Sequence, residues 1–223
     1  MQTTKWGPSG WNLFHNVAIE YKPTRENKAL YRGFYESFKY TLPCKYCRQS
    51  YSTFFDTTPI DRFLVSSEQL FYWTYLMHNK VNDKLRNQGF LTTPNPSYQE
   101  VKKMYTKGCY NKCTYSDYIT FIGCVVFNYG SIGSSKDCPP KCTQDAYKLF
   151  FNFLAYAFPT IHKSKIDNKS LENNCNIVIW YFKNVLVADK DTKPKVSLFE
   201  KYVKFFANLR ASCSQATSCR LKL

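Results

Sequence analysis

The residues of this chain best suited to chemistry are two closely spaced thiols, Cys44 and Cys47, directly after Pro43. Two thiols at this spacing can close into a disulfide, open and close again. We expect Pro43 to end one helix and Cys44 to cap the next, so that the thiols lie at a helix N-terminus. The unpaired N–H groups and the helix dipole stabilise a thiolate there. The pattern indicates a redox centre, although a Cys-x-x-Cys pair is also half of a zinc site.

Two further residue pairs are spaced to line a pocket between helices. Trp11 and His15 lie four positions apart and share one helical face, as do His78 and Asn82. A polar pair on an inward stripe is costly unless something satisfies it, and a planar cofactor rich in heteroatoms would do so. Each residue alone is better explained by core packing. Together with the Cys-x-x-Cys pair, they favour a cofactor site.

The elements that must position these residues are predicted to be helices. Apolar spacing predicts helices over about 11–21, 26–40, 44–55, 68–87 and 97–107. A turn around Pro8, with Ser9 as a candidate N-cap, is expected before the first. Four helices with short connections indicate an all-α four-helix bundle, and the last segment adds a short fifth helix.

The second half of the chain differs in character, and we divide the sequence into domains of residues 1–110 and 115–223. The second is predicted to be mostly helical, with no fold that we recognise. Segment 117–129 is ambiguous between helix and strand, and a loop is predicted over 130–142. Helical stretches are predicted over 145–158, 176–188 and 197–209, although 177–181 could instead be a strand.

The overall charge bears on the kind of partner that the protein binds, and the cysteine content bears on its redox environment. Lysine and arginine number 31 against 16 acidic residues, a net charge of +15, which favours an acidic partner such as nucleic acid or a membrane surface. The basic residues form no long run, so solubility is the favoured explanation. Ten cysteines exceed what a reduced cytosolic protein usually carries. The sequence shows no signal peptide and no membrane span of about 18 apolar residues.

Three motifs in register resemble the Erv/ALR family of flavin-dependent sulfhydryl oxidases. They are Trp6-Gly7-Pro8-x-x-Trp11-x-x-x-His15, Cys44-x-x-Cys47 and His78-Asn79-x-Val81-Asn82-x-Lys84-Leu85. The resemblance covers residues 1 to about 108. Viral members of this family come from large DNA viruses. A chain without a signal peptide and with an unfamiliar second half suits that origin.

The resemblance implies an Erv-type bundle that holds FAD, usually in a homodimer. It implies that Cys44 receives incoming thiols and that Cys47 lies against the isoalloxazine. The cofactor contacts that it implies are Gly7, Trp11, His15, Tyr51, His78, Asn79, Val81, Asn82, Lys84 and Tyr105. It also implies oxidation of protein thiols, or of a thioredoxin-like dithiol carrier, with dioxygen reduced to hydrogen peroxide. We expect this to occur in the viral particle or at an assembly site in the host cytoplasm.

Many members of the family receive electrons through a second, mobile cysteine pair. Each candidate pair here would serve equally well as a structural disulfide. The candidates are Cys138 with Cys142, slightly favoured for its predicted loop, Cys109 with Cys113, and Cys213 with Cys219.

One feature departs from the family. The extra disulfide that commonly ties the fourth helix to the tail is missing, so other contacts must hold that end.

A protein of another class is the alternative. In it the bundle would be degenerate and non-catalytic, and the basic, aromatic second half would bind nucleic acid or a partner protein. The intact Cys-x-x-Cys pair and the complete His-Asn-x-Val-Asn run weigh against it. A zinc site would need a second ligand pair at suitable spacing, and a thioredoxin-like fold would need a βαβ frame. In the oxidase, we expect residues 115–223 to form a docking surface for substrate proteins or for localisation.

Overall fold

A computed structural model of the protein describes residues 3–132, 140–162, 164–186 and 196–211, and all regular secondary structure within these ranges is helical. The α-helices are α1 (Thr3–Ile19), α2 (Arg25–Thr41), α3 (Lys45–Thr57), α4 (Ser67–Asn87), α5 (Tyr98–Thr106), α6 (Tyr115–Ile132), α7 (Pro140–Ala157), α8 (Asn174–Tyr181) and α9 (Val196–Ala211). Short 3₁₀ turns cover Ile60–Phe63 and Lys169–Leu171, and a π-helical turn covers Phe182–Leu186. The all-α prediction is confirmed. No helix in the described ranges is long and apolar enough to span a lipid bilayer.

Side-chain caps explain where four of the bundle helices begin. Thr24, Cys44, Ser66 and Ser97 each adopt an extended backbone, and each side chain accepts a backbone N–H from the first turn of the helix that follows. Glu100 completes a capping box by accepting the backbone N–H of Ser97. These caps satisfy N–H groups that otherwise lack a partner, so the predicted starts of α2 to α5 lie close to the observed ones.

Helix α1 begins at Thr3, well before its predicted start, and the predicted turn around Pro8 is wrong. Pro8 lies inside the helix. Ser9 is not an N-cap, because its hydroxyl donates to the carbonyl of Asp117 at 2.7 Å and accepts the backbone N–H of Phe121 at 3.3 Å. These contacts with α6 are distant in sequence, and they stabilise a helical turn that local propensity does not favour.

The second half is helical in both places where the sequence left a choice. Segment 117–129 belongs to α6, which is apolar around most of its surface, and residues 121–129 of this helix are buried or half-buried. The possible strand at 177–181 is the second half of α8. The predicted loop over 130–142 is too long at both ends, since α6 continues to Ile132 and α7 begins at Pro140. Proline is well suited to a first helical turn, where its missing N–H costs nothing.

Helices α6 and α7 pack directly on the bundle, α6 along α1 and α7 along α2. Phe34 of α2 stacks on Phe153 and Phe150 of α7, with ring centroids 4.0 and 5.7 Å away. Gly33 permits this approach, because a Cβ atom there would lie 3.2 Å from a methyl carbon of Leu149. The two halves therefore share one continuous hydrophobic core.

The predicted boundary between residues 1–110 and 115–223 stays a prediction. It falls in the connection between α5 and α6, which carries Cys109 and Cys113. Because the bundle buries an aromatic face against the helices beyond this connection, those helices contribute to its stability.

Candidate active site

A cavity of about 580 Å³ is bordered by α1, α3, α4 and α5, and both thiols of the Cys-x-x-Cys pair line it. Its volume lies within the range of small-molecule and cofactor sites. All the cofactor contacts implied by the sequence resemblance lie on its wall: Gly7, Trp11, His15, Tyr51, His78, Asn79, Val81, Asn82, Lys84 and Tyr105. The structure therefore brings together residues that are far apart in sequence, while the role of each stays a prediction.

The Cys-x-x-Cys pair lies at the N-terminus of α3, as predicted. Pro43 disfavours a helical conformation for Leu42, which is extended and ends α2. Cys44 is also extended and is the N-cap of α3, and its Sγ accepts the backbone N–H of Cys47 at 3.4 Å. The Cys47 N–H thus points at Cys44 Sγ, and this contact at the N-terminus of α3 stabilises negative charge on that sulfur.

The exposure of the two thiols bears on their predicted roles. Cys44 is buried, with 4% of its surface exposed, whereas Cys47 is half-buried. The assignment of Cys44 as the thiol-receiving residue therefore requires a local movement that exposes its sulfur to a protein thiol.

A row of hydrogen-bonded side chains connects α4 to α1 and returns to α4 at the cavity wall. His15 Nδ1 lies 2.8 Å from Thr74 Oγ1, and His15 Nε2 lies 3.0 Å from His78 Nδ1. Burial, and secondarily the nearby His78, hold the pKa of His15 well below its usual value. Burial lowers the pKa of His78 to about 4. Both imidazoles are therefore neutral at neutral pH.

Sequence reasoning missed Thr74. Its hydroxyl lies four positions before His78 on the same helical face, so the spacing alone could have marked it as a neighbour. Its contact with His15 could not be foreseen, because that residue lies on another helix.

Polar side chains line two other parts of the cavity. Near the cysteines, Lys84 Nζ donates to Ser50 Oγ at 2.6 Å, and Ser50 in turn donates to the carbonyl of Tyr46 at 2.9 Å. Next to α5, the Tyr105 hydroxyl donates to Asn12 Oδ1 at 3.2 Å. The hydrogen bond to Ser50 holds the Lys84 ammonium beside α3, and the hydrogen bond to Asn12 holds the Tyr105 ring on the cavity wall.

The lining fits the FAD that the sequence resemblance implies. Flat aromatic faces at Trp11 and Tyr105 suit the planar rings of a dinucleotide, and the Lys84 ammonium suits its anionic linker. Gly7 leaves its part of the wall open, since a Cβ atom there would meet no atom within 4 Å. His78 adds a polar ring nitrogen. The cavity thus combines the apolar surface and the few polar groups typical of cofactor sites.

A polar network holds the C-terminal end of α4, where the family's disulfide is missing. Arg86 donates to the carbonyl of Thr93 at 3.0 Å and to Asn95 Oδ1 at 3.1 Å, and it pairs with Asp83. Asn95 donates to the same Asp83 carboxylate at 3.0 Å. These bonds hold the loop that leads from α4 to α5 against the end of α4.

The structure leaves the identity of a shuttle pair open. Cys109 is exposed and Cys113 half-buried, and burial together with the Asp117 carboxylate raises the pKa of Cys113. Cys142 is exposed in the first turn of α7. None of these three described cysteines lines the cavity. The other candidates, Cys138, Cys213 and Cys219, lie outside the described residues.

The protein is a helical bundle in which a Cys-x-x-Cys pair caps a helix on the wall of a cofactor-sized cavity. This arrangement is typical of thiol-redox proteins that use a bound cofactor. Residues 8–106 match the sequence model of the Erv1 / Alr family. The chain belongs to this family. The matched region ends with α5, so helices α6 to α9 lie beyond it.

Three relatives illustrate the similarity. A protein of Acanthamoeba polyphaga mimivirus named "Probable FAD-linked sulfhydryl oxidase" is 41% identical over 85 residues, which cover 37% of this chain and 59% of that protein. An FAD-linked sulfhydryl oxidase of African swine fever virus is 31% identical over 120 residues, 53% of this chain and 93% of that protein. The mitochondrial FAD-linked sulfhydryl oxidase of Saccharomyces cerevisiae is 34% identical over 86 residues, 38% of this chain and 44% of that protein. No solved structure is a significant match.

Proposed function

We propose that the protein is an FAD-dependent thiol oxidase that forms disulfides in protein substrates or in a dithiol carrier and reduces dioxygen to hydrogen peroxide. The observation that carries the proposal is the position of Cys44 and Cys47 at the N-terminus of α3, on the wall of the cavity lined by all ten implied FAD contacts. The names of the relatives, FAD-linked sulfhydryl oxidase, support the cofactor and the activity.

The chain's own chemistry is thiol–disulfide exchange. A substrate thiolate attacks Cys44 Sγ of the oxidised pair, the bond between Cys44 and Cys47 breaks, and Cys47 leaves as a thiolate. The substrate's second thiolate then attacks the substrate sulfur of the mixed disulfide, and Cys44 leaves as the second thiolate. Two electrons pass from the substrate to the pair. The Cys47 N–H that donates to Cys44 Sγ stabilises the charge developing on that sulfur.

The cavity wall supplies binding and orientation for the cofactor. Trp11 and Tyr105 offer their ring faces, and Lys84 offers a positive charge close to α3. When bound, FAD supplies the two-electron acceptor that reoxidises the cysteine pair and the route to dioxygen.

We further propose that the protein is a homodimer that acts in the viral particle or at an assembly site in the host cytoplasm. The viral relatives support this location. Because α6 covers part of α1 and α7 covers part of α2, the dimer would have to use other parts of the surface.

Oxygen uptake by the purified full chain with a reducing dithiol tests the activity. We expect a yellow protein whose uptake falls to background in Cys44→Ser and Cys47→Ser. Serine is a good N-cap, so Cys44→Ser keeps the start of α3 and removes only the sulfur. Cys175→Ser, an exposed cysteine in α8, is the matched control and should leave uptake unchanged. A colourless protein, or full uptake in Cys44→Ser, would overturn the proposal.

A further inference from the structure

Four groups form a continuous hydrogen-bonded chain at the cavity wall. The Thr74 hydroxyl lies 2.6 Å from the backbone carbonyl oxygen of Phe71 and 2.8 Å from His15 Nδ1. His15 Nε2 lies 3.0 Å from His78 Nδ1. Thr74 and His15 have no exposed surface, and His15 and the half-buried His78 both line the cavity.

The direction of every hydrogen bond in this chain follows from the first contact. Two oxygens 2.6 Å apart need a proton between them, and a carbonyl has none, so Thr74 donates its single hydroxyl proton to Phe71. Thr74 Oγ1 can then only accept, and His15 Nδ1 must carry the proton that it receives. A neutral His15 has no proton on Nε2, so that nitrogen accepts from His78 Nδ1.

These proton positions require both imidazoles to be neutral, and burial favours the neutral form of each. Burial holds the pKa of His15 well below its usual value and lowers that of His78 to about 4. With its one proton on Nδ1, His78 carries an unshared electron pair on Nε2. Among the described residues, no group forms a hydrogen bond with that nitrogen.

We propose that Thr74 is a positioning residue that fixes the protons of His15 and His78, so that His78 presents a hydrogen-bond acceptor to the cavity. The cofactor group that His78 takes is therefore a donor, an amine or a hydroxyl, and not a phosphate oxygen. This inference rests on the proposed function for the identity of the ligand, but the proton positions depend on the protein alone.

The first test is nitrogen NMR of the full chain labelled with ¹⁵N-histidine, which distinguishes a protonated Nδ1 from a protonated Nε2 in neutral imidazole. Three histidines give a spectrum simple enough to assign with His162→Gln. We expect the Nδ1-protonated form of both His15 and His78 in the wild type. The Nε2-protonated form at either residue would overturn the proposal, and this result needs no other variant to fold.

The second test compares FAD retention on dilution, followed by the fluorescence of released FAD. Thr74→Val keeps the shape of the side chain but removes the hydroxyl, so His15 Nδ1 loses its partner. We expect the Kd for FAD to rise about tenfold, the effect of one hydrogen bond, with mixed protonation of His78. Thr74→Ser should restore both readouts. Thr53→Val, which removes an exposed hydroxyl from α3, is the matched control.

The outcomes separate this inference from the proposed function. If the wild type binds no FAD, the proposed function fails, and the NMR spectrum still decides the proton positions. If the wild type binds FAD but Thr74→Val matches it in both Kd and His78 protonation, the role of Thr74 is overturned. Loss of affinity in Thr74→Val without recovery in Thr74→Ser would also overturn it, because a positioning hydroxyl is supplied by either residue.

Discussion

The indole ring of Trp11 and the imidazole ring of His78 lie nearly parallel, with an interplanar angle of 9° and ring centroids 3.8 Å apart. This stack joins α1 to α4 at the cavity wall. It places an aromatic ring beside an imidazole whose proton position is fixed by hydrogen bonds, so the same wall can stack on a flat ligand and form a hydrogen bond to its edge.

Replacement of Trp11 by leucine should weaken FAD binding. Loss of an aromatic stacking partner costs about 1–3 kcal/mol per ring, so we expect the Kd for FAD to rise by about 5- to 150-fold. Fluorescence of released FAD measures the change. Tyr156→Leu removes an exposed aromatic side chain of α7 and serves as the control. Equal FAD retention in Trp11→Leu and wild type would show that this ring does not bind the cofactor.

The three histidines should make the protein acid-sensitive above the range where carboxylates titrate. His15 and His162 are buried and His78 is half-buried, and this burial lowers the pKa values of His78 and His162 to about 4, with that of His15 also well below 6.5. The unfolded chain therefore binds more protons than the folded one between pH about 4 and 6.5. Stability is complete above that window and falls as pH decreases through it.

Urea unfolding between pH 5 and 6.5 measures this effect. Each histidine contributes a slope of up to about 1.4 kcal/mol per pH unit, so three contribute up to about 4. His162→Gln, far from the cavity, should reduce the slope by about one third, because the contributions of His15 and His78 remain. An unchanged slope in this variant would contradict the buried, neutral state of His162.

The stack between Phe34 and Phe153 should couple the two halves of the chain energetically. We expect Phe34→Leu and Phe153→Leu each to lower the free energy of unfolding by about 1–3 kcal/mol. The double variant should lose less than the sum, with a coupling of about 0.5–1.5 kcal/mol for an aromatic pair. Urea unfolding of the four proteins gives this value. Strict additivity would contradict the packing of α7 on α2.

Deletion of residues 115–223 should destabilise the bundle itself. The shortened chain would expose Phe34 and Phe38, both of which lie against second-half aromatic rings. We expect a lower Tm and loss of bound FAD together, measured by thermal unfolding and flavin fluorescence. A truncated chain with wild-type Tm would instead favour a second half that only docks substrates.

Local signals predicted those parts of the fold that depend on local chemistry. Helices α3, α4 and α5 begin directly after Cys44, Ser66 and Ser97 because each of these residues caps the first turn of the helix that follows, and such caps are visible in sequence. The start of α1 was not visible, since the bonds between Ser9 and α6 join segments more than a hundred positions apart.

The site residues that could be predicted are those that belong to contiguous sequence motifs. Residues such as His78 and Asn82 belong to short runs, and the structure places them in one cavity with the cysteine pair. Thr74 and Ser50 contact side chains on other helices, and no local pattern reveals these contacts, although its spacing from His78 marks Thr74 as a neighbour of that residue. The burial of Cys44 depends on tertiary packing, which the spacing of the two cysteines does not reveal.

Anaerobic reduction of the bound flavin tests the central claim most directly, because it isolates electron transfer within the protein from the reaction with dioxygen. A reducing dithiol is mixed with the wild type and Cys47→Ser, and the yellow flavin absorbance is followed in time. We predict rapid bleaching in the wild type and in Cys175→Ser, and a persistent yellow colour in Cys47→Ser. Bleaching of Cys47→Ser at the wild-type rate would contradict the assignment of the Cys44 and Cys47 pair as the route to the flavin.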